Sequence, residues 1–190
     1  MFIGAPLARK AVSAANAGGY TLSVAKEAAM TEREFFLARR EAESGAFHRV
    51  LDALPKDHFD YRPHDRSPSA RDLVWILASE TRACCDLIDS GRLDWRHQPP
   101  PGDATQILLD FQRNYRDLSE RAATVDQEAW QRPVQFLVEG KLMQEPPLGE
   151  FLWYLFFDAI HHRGQLSTYI RPMGGKVPSI YGPSGDDPGR

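Results

Sequence analysis

Residues 151–170 constrain the fold of this chain more than any other stretch, because polar side chains interrupt a strongly apolar helical pattern there. After an almost unbroken apolar run, Asp158 and His162 fall four residues apart, on the stripe that also carries Leu155 and Leu166. Such a stripe faces the core of a folded protein. A carboxylate and an imidazole buried on it are costly unless they pair with each other or bind a cation.

Two interpretations of Asp158 and His162 follow from this spacing. Side chains four residues apart on a helix can reach one metal ion, as the histidines of a His-Glu-x-x-His helix do. The alternative is a buried hydrogen bond between the two residues that only fixes packing. This stretch alone does not separate the two interpretations.

Composition and charge restrict the class of protein. The chain has 190 residues, of which 42% are hydrophobic and 26% charged, as expected for one globular domain. Its net charge of -3 argues against nucleic-acid binding, which requires a basic face. The apolar run of residues 151–157 is too short to span a membrane. We expect a cytoplasmic protein, because no signal-peptide pattern is evident and the two cysteines, Cys84 and Cys85, are neighbours without a distant disulfide partner.

The first predicted helix lies near the start of the chain. Residues 1–30 show no clear period, and we expect them to form a poorly ordered or loosely docked arm. Thr31 and Glu34 match a capping box, which predicts a helix that begins after Thr31 and ends before Pro55. Its predicted apolar stripe consists of Phe35, Ala38, Ala42, Ala46, Val50 and Leu54, widened by Phe47 and Leu51. His48 lies beside this stripe and is predicted to be a partly exposed side chain rather than a ligand.

A second helix is predicted to start near Ser67 or Ser69 and to run to Ser90, with Gly91 as its stop. Its apolar stripe consists of Leu73, Ile76, Leu77, Cys84 and Leu87. Glu80 is the one acid at the centre of this stripe, so it needs a partner if it is buried. The alternatives to a metal ion are an arginine or a carboxylate that reaches solvent.

Two more helices are predicted in the second half of the chain. Asp103 caps a third helix, which runs to about Val125. Residues 134–143 are β-prone and Glu139-Gly140 suits a turn, so we expect a long connection here with room for a small hairpin. A fourth helix is predicted over residues 148–171.

Four long amphipathic helices with short to moderate links predict an all-α four-helix bundle. We expect the bundle to occupy residues 31–185 and a tail to occupy residues 186–190. Residues 91–102, which include three consecutive prolines, are expected to form a linker between helices.

One metal ion would account for the polar residues that break two of the apolar stripes. Four-helix bundles hold metal ions between facing helices through carboxylates and histidines that point inward. Glu80 on the second helix and Asp158 and His162 on the fourth are residues of this kind. The sequence therefore favours metal binding over a purely structural Asp–His pair.

Motifs near the C-terminal end are similar to those of a known family. The motif His161-His-Arg-Gly-Gln165 is followed by Tyr169-Ile-Arg-Pro-Met-Gly and by Val177-Pro-Ser-Ile-Tyr-Gly. In a chain with four predicted helices, these motifs resemble the DinB-like (DinB/YfiT-like) superfamily. The resemblance implies an up-down-down-up order of helices, often a homodimer, and a divalent metal ion, commonly zinc or nickel, bound by three residues.

The family pattern takes one histidine from the second helix and two, four residues apart, from the fourth. His162 matches the last of these. Asp158 stands where the other fourth-helix histidine is usual, and the similar thiol-dependent isomerases also place a carboxylate there. Ile76 falls near the position of the second-helix histidine and cannot bind metal, so Glu80, one turn further, is the expected substitute. This ligand set would also accept manganese or iron(II).

The resemblance leaves two kinds of function open. One is a metal-dependent enzyme of the thiol-transferase or hydrolase type, which acts on a small-molecule substrate and uses a low-molecular-weight thiol. In that case His161 is a candidate proton shuttle and Gln165 a candidate support for a metal ligand. Arg163 is expected to point away from the site and to form a salt bridge with a neighbouring helix. The other is a non-catalytic bundle module, used in stress response or dimerisation, whose metal site is degenerate.

Overall fold

The computed structural model of the protein describes residues 29–189, which are mostly helical and confirm the predicted all-α fold. The long helices are α1 (Glu32–Asp52), α2 (Ala70–Ser90), α3 (Ala104–Thr124) and α5 (Leu148–Tyr169), and a short helix, α4 (Gln127–Gln131), lies between the last two. The expected N-terminal arm lies outside the described residues apart from its last two positions. Within residues 29–189, no helix combines the length and apolar character needed to cross a bilayer.

The four long helices run up, down, down and up. α1 and α5 are parallel, α2 and α3 are parallel, and α2 and α5 are antiparallel. The contacts that fix these directions are Phe36–Phe156 and Glu43–Arg163 between α1 and α5, Asn114–Ala78 and Arg121–Asp89 between α2 and α3, and Tyr169–Pro68 at the end of α5 and the start of α2. Asp158 and His162 on α5 therefore face the middle of α2.

The predicted helix ends are confirmed where capping residues determine them. Thr31 and Glu34 form the expected capping box at α1. Of the two starts considered for the second helix, Ser69 is the cap, and it exchanges hydrogen bonds with Asp72. Gly91 ends α2 in the left-handed conformation, with φ of 69°, which a side chain with a Cβ rarely adopts.

The prediction of the buried face of α1 was wrong in its first half. Phe35, Ala38 and Ala42 are exposed, whereas Arg40 and Glu43 are buried. The stripe was drawn through apolar residues only. The true face carries two charged side chains because each finds a buried partner on another helix: Arg40 donates to the backbone carbonyl of α3 residue 115, and Glu43 pairs with α5.

A three-stranded sheet packs beside α2 and the start of α5. β2 (Gln135–Val138) and β3 (Lys141–Gln144) form an antiparallel hairpin, as the sequence allowed. Glu139 and Gly140 both have positive φ, as tight hairpin turns require. β1 (Arg92–Trp95) lies within the predicted linker and pairs in parallel with β2, and this strand was not predicted. A strand of four residues with two charges has too short an alternating pattern to be recognised in isolation.

A buried ion pair holds α1, α5 and the C-terminal segment together. Arg163 is buried, donates to Glu43 and also donates to the hydroxyl of Tyr181. The Tyr181 hydroxyl in turn donates to Glu43 over 2.8 Å. Arg163 thus forms the expected salt bridge with a neighbouring helix. The hydrogen bonds of the C-terminal segment continue past residue 185, because Asp186 accepts one from the backbone N–H of Val177.

Candidate metal centre

Three potential metal ligands meet between α2 and α5. Glu80 occupies the centre of the buried stripe of α2, and Asp158 and His162 lie one turn apart on the facing side of α5. One ligand atom from each of the three residues lies within 4.8 Å of the other two. The structure therefore brings together the three residues that the sequence grouped. Asp158 and His162 are half-buried rather than fully buried, because they border a cavity.

The imidazole of His162 is oriented by Gln165. Nδ1 of His162 lies 2.8 Å from Oε1 of Gln165 on the same helix. An amide oxygen only accepts hydrogen bonds, so the imidazole carries a proton on Nδ1 and donates it. Nε2 then points toward Asp158, whose Oδ2 lies 3.3 Å away. A support of this kind is typical of histidines that bind metal ions.

The buried carboxyl group of Glu80 lacks a hydrogen-bond partner for one of its oxygens among the described residues. Its side chain is buried, and Oε2 has no hydrogen-bond partner among the described residues. Burial, together with the hydrogen bond with Asp158 and the charge of that residue, raises the pKa of Glu80 to about 9. Without a cation, Glu80 therefore holds a proton at neutral pH. A divalent cation would satisfy the orphaned oxygen and both carboxylates, so the residues present fit a metal ion.

Arg40 lies behind Glu80 and was not identified from the sequence. The two residues line one small cavity of about 10 Å³, which Asp158 and His162 do not line. The Arg40 guanidinium lies 4.0 Å from the centre of the Tyr115 ring, and Nε has no hydrogen-bond partner in the part of the chain described. Desolvation lowers the pKa of Arg40. A sequence pattern gives no signal for this cation, because its partners are distant along the chain.

The cluster opens onto a cavity of about 980 Å³. Its walls come from α2, α3, α5 and the segment that contains β1. Ile76, where the family pattern would place a histidine, lines this cavity and is apolar. His161 is exposed and does not line it, so the structure gives no support to a proton shuttle at this residue.

The other titratable residues considered from the sequence lie outside the cluster. His48 is half-buried on α1, as predicted, and is not part of the group of ligands. Cys84 and Cys85 are buried free thiols. Burial raises the pKa of both thiols, which keeps them protonated and unreactive.

Fold and site together define an all-α bundle with a candidate metal-binding cluster between its second and last long helices. The family model that matches this chain is that of the DinB family, over residues 30–188. The match covers most of the chain, and the protein belongs to the DinB family.

Individual relatives agree with this assignment. The protein YrdA of Bacillus subtilis is 25% identical over 164 residues, which cover 81% of this chain and 90% of YrdA. A DinB-like protein of Bacillus cereus has a similar structure, with a TM-score of 0.64 and 19% identity over 78% of this chain and 97% of its own. The DinB-like protein YjoA of Bacillus subtilis gives a TM-score of 0.59 and 17% identity over 75% of this chain and 93% of its own. At these identities, the two structures support the fold alone.

Proposed function

We propose that Glu80, Asp158 and His162 bind one divalent metal ion. The observation that carries this proposal is the approach of their ligand atoms to within 4.8 Å, where one carboxyl oxygen is buried without a partner among residues 29–189. Two carboxylates and one imidazole suit manganese, iron(II), zinc or nickel. Gln165 holds the imidazole with Nε2 free to bind.

We infer that the protein is a metal-dependent enzyme of the thiol-transferase or hydrolase type. Three protein ligands leave coordination positions open, which is the arrangement of catalytic metal sites. A bound divalent ion would supply Lewis acidity. This acidity lowers the pKa of a water or thiol ligand toward neutral pH. The protein contributes ligands on two rigid helices and a cavity large enough for a small molecule next to them. Its buried free thiols suit a reducing compartment such as the cytoplasm.

The activity is tested by a panel that pairs low-molecular-weight thiols with electrophiles, together with ester and amide substrates. The protein is loaded with each of the four metals in turn. We expect turnover with at least one metal, and loss of turnover in Asp158→Ala and after chelation. If the metal binds stoichiometrically and the whole panel gives no turnover, the non-catalytic bundle module becomes the better account.

We further propose that a second copy of this chain covers an apolar groove between α1 and α5. The groove has a volume of about 510 Å³ and is lined by Phe35, Trp153, Phe157 and Ile160. Glu32 and Arg39 lie at the same groove, so a two-fold related copy can place opposite charges against each other. Exposed aromatic patches of this kind mark protein contacts.

Sedimentation at micromolar concentration tests the dimer. We expect a dimer for the wild type and a monomer for Phe157→Glu, because the new charge would be buried in the contact. A monomeric wild type contradicts the proposal.

A further inference from the structure

We propose that the substrate of this site carries an uncharged, ring-shaped apolar body next to the group that reaches Glu80, Asp158 and His162. This inference rests on the proposed metal site and names the class of molecule that the cavity accepts. It follows from the residues that any ligand must touch on its way to the cluster.

An aromatic wall leads directly to the candidate ligands. Tyr154 lies one turn before Asp158 on α5, lines the cavity and is 59% exposed. Its ring stacks on Phe151, with 5.7 Å between ring centres and an interplanar angle of 24°. Phe151 in turn packs against Phe136 of β2, with ring centres 5.0 Å apart. Phe151 is buried and links the other two rings, so Tyr154 and the half-buried Phe136 present the accessible aromatic surface, which favours contact with another flat or ring-shaped apolar group.

The opposite wall is also apolar beside the cluster. On α2, Ile76 lies one turn before Glu80 and Ala83 lies about one turn after it, and both line the cavity. Leu155, between the turns of Tyr154 and Asp158, is a further apolar lining residue. A ligand that reaches the cluster is therefore held between apolar side chains from both helices.

The three arginines that line the cavity are each paired with an aspartate. Arg82 lies 2.8 Å from Asp86, Arg96 lies 2.7 Å from Asp94 and Arg113 lies 2.7 Å from Asp110. An anionic ligand would have to compete with these aspartates and would also add charge beside Asp158. The cavity therefore disfavours a negatively charged body, whereas an uncharged ring needs no new ionic partner.

Hydroxamic acids test this inference, because they bind divalent metals through the same two oxygens whatever body they carry. The metal affinity of the wild type is first measured by calorimetry with manganese and zinc. Acetohydroxamic, benzohydroxamic and 4-carboxybenzohydroxamic acid are then titrated into the metal-loaded protein. We expect benzohydroxamic acid to bind at least about tenfold more tightly than acetohydroxamic acid, because it buries a ring. The carboxylated compound should bind more weakly than benzohydroxamic acid.

Matched variants locate the preference. Tyr154→Ala should reduce the ratio of the benzo to the aceto affinity severalfold and leave the affinity for metal and for acetohydroxamic acid unchanged. Phe136→Leu, on strand β2, removes another ring of the same aromatic wall and should also reduce this ratio. The control Leu109→Ala removes an apolar side chain of α3 that is 53% exposed and lies outside this cavity, and it should leave the ratio of the two affinities unchanged.

The possible results distinguish the inference from the metal proposal. A ratio near one in the wild type, tighter binding of the carboxylated compound, or a ratio unchanged in both wall variants overturns the inference and leaves the metal site standing. Failure of the wild type to bind either metal overturns the metal proposal, and the inference falls with it.

Discussion

Nε2 of His162 lies 3.3 Å from Oδ2 of Asp158, one turn earlier on the same helix. Because Nδ1 faces Gln165, Nε2 is the ring nitrogen that faces the carboxylate. Either a proton, as in a structural hydrogen bond, or a cation between the two atoms would satisfy both of them. We propose the cation, with Glu80 as the third ligand.

Removal of the Gln165 support should weaken metal binding. In Gln165→Leu the imidazole of His162 is free to rotate or to change tautomer, so we expect the metal affinity to fall about tenfold or more. The thermal stability of the metal-free variant should stay close to that of the wild type, because Gln165 is only half-buried. Calorimetric metal titration measures the first quantity and a thermal melt the second. An unchanged metal affinity would show that Gln165 does not orient the ligand.

Metal binding should strengthen as the pH rises. In the metal-free protein, burial is the main cause that raises the pKa of Glu80 from 4.5 to about 9. Glu80 must release this proton to bind metal, so the metal affinity should rise by up to about tenfold per pH unit below pH 9. Calorimetry in buffers of different ionisation enthalpy should detect proton release. The opposite pH trend would contradict the assignment of Glu80 as a ligand.

Whereas metal affinity should rise with pH, the stability of the metal-free protein should fall with pH, because of the same pKa shift of Glu80. Between about pH 4.5 and pH 9 the folded state holds a proton on Glu80 that the unfolded state lacks, so the free energy of unfolding falls as the pH rises. Urea unfolding with a chelator present should show this fall from pH 6 to pH 8.5. Glu80→Gln should remove most of the slope, because the amide does not titrate. If Glu80→Gln kept the slope of the wild type, another titratable group would cause the pH dependence of stability.

The Glu43–Arg163 pair should matter for stability and not for metal binding. Desolvation raises the pKa of Glu43, but hydrogen bonds from Arg163 and Tyr181 and the charge of Arg163 outweigh it and lower the pKa. Glu43→Ala leaves the buried Arg163 without its ionic partner, and we expect a loss of about 3–5 kcal/mol in urea unfolding. Glu41→Ala, at an exposed position of α1, should cost less than about 0.5 kcal/mol. Equal effects of the two variants would contradict this account.

The two cysteines should be inert. Cys84 and Cys85 are buried, and burial raises the pKa of both thiols. We expect a thiol reagent such as DTNB to label them only after unfolding. Cys84→Ala should keep its full metal content and lose about 1–2 kcal/mol of stability, as small core truncations do. Loss of metal from Cys84→Ala would mean that the ligand set is wrong.

Local patterns in the sequence were sufficient for some parts of the fold and insufficient for others. The buried stripe of α2 and the caps at Thr31 and Ser69 follow from neighbouring residues, and these predictions agree with the structure. The face of α1 was misplaced because Arg40 and Glu43 are buried through partners on distant helices. Strand β1 was missed because its pairing depends on β2, about 40 residues later.

At the candidate site, too, sequence patterns predicted some residues and missed others. The spacing of Asp158 and His162 and the isolated acid in the stripe of α2 were enough to group three residues that the structure brings together. Arg40 was missed because only packing places it behind Glu80. The aromatic wall of Tyr154 was missed because its exposed side becomes visible only when β2 and α5 are assembled.

The most direct test of this account is the metal content of the purified protein and three variants, measured by plasma mass spectrometry after saturation with each divalent metal and desalting. We predict about one equivalent of metal in the wild type and in His48→Ala, and a sharp loss in Glu80→Ala and Asp158→Ala. The wild type should also melt at a lower temperature after chelation, because a metal bound only to the folded state stabilises it. Metal content that is unchanged in Glu80→Ala, or a wild type that binds none of the metals, would contradict the account.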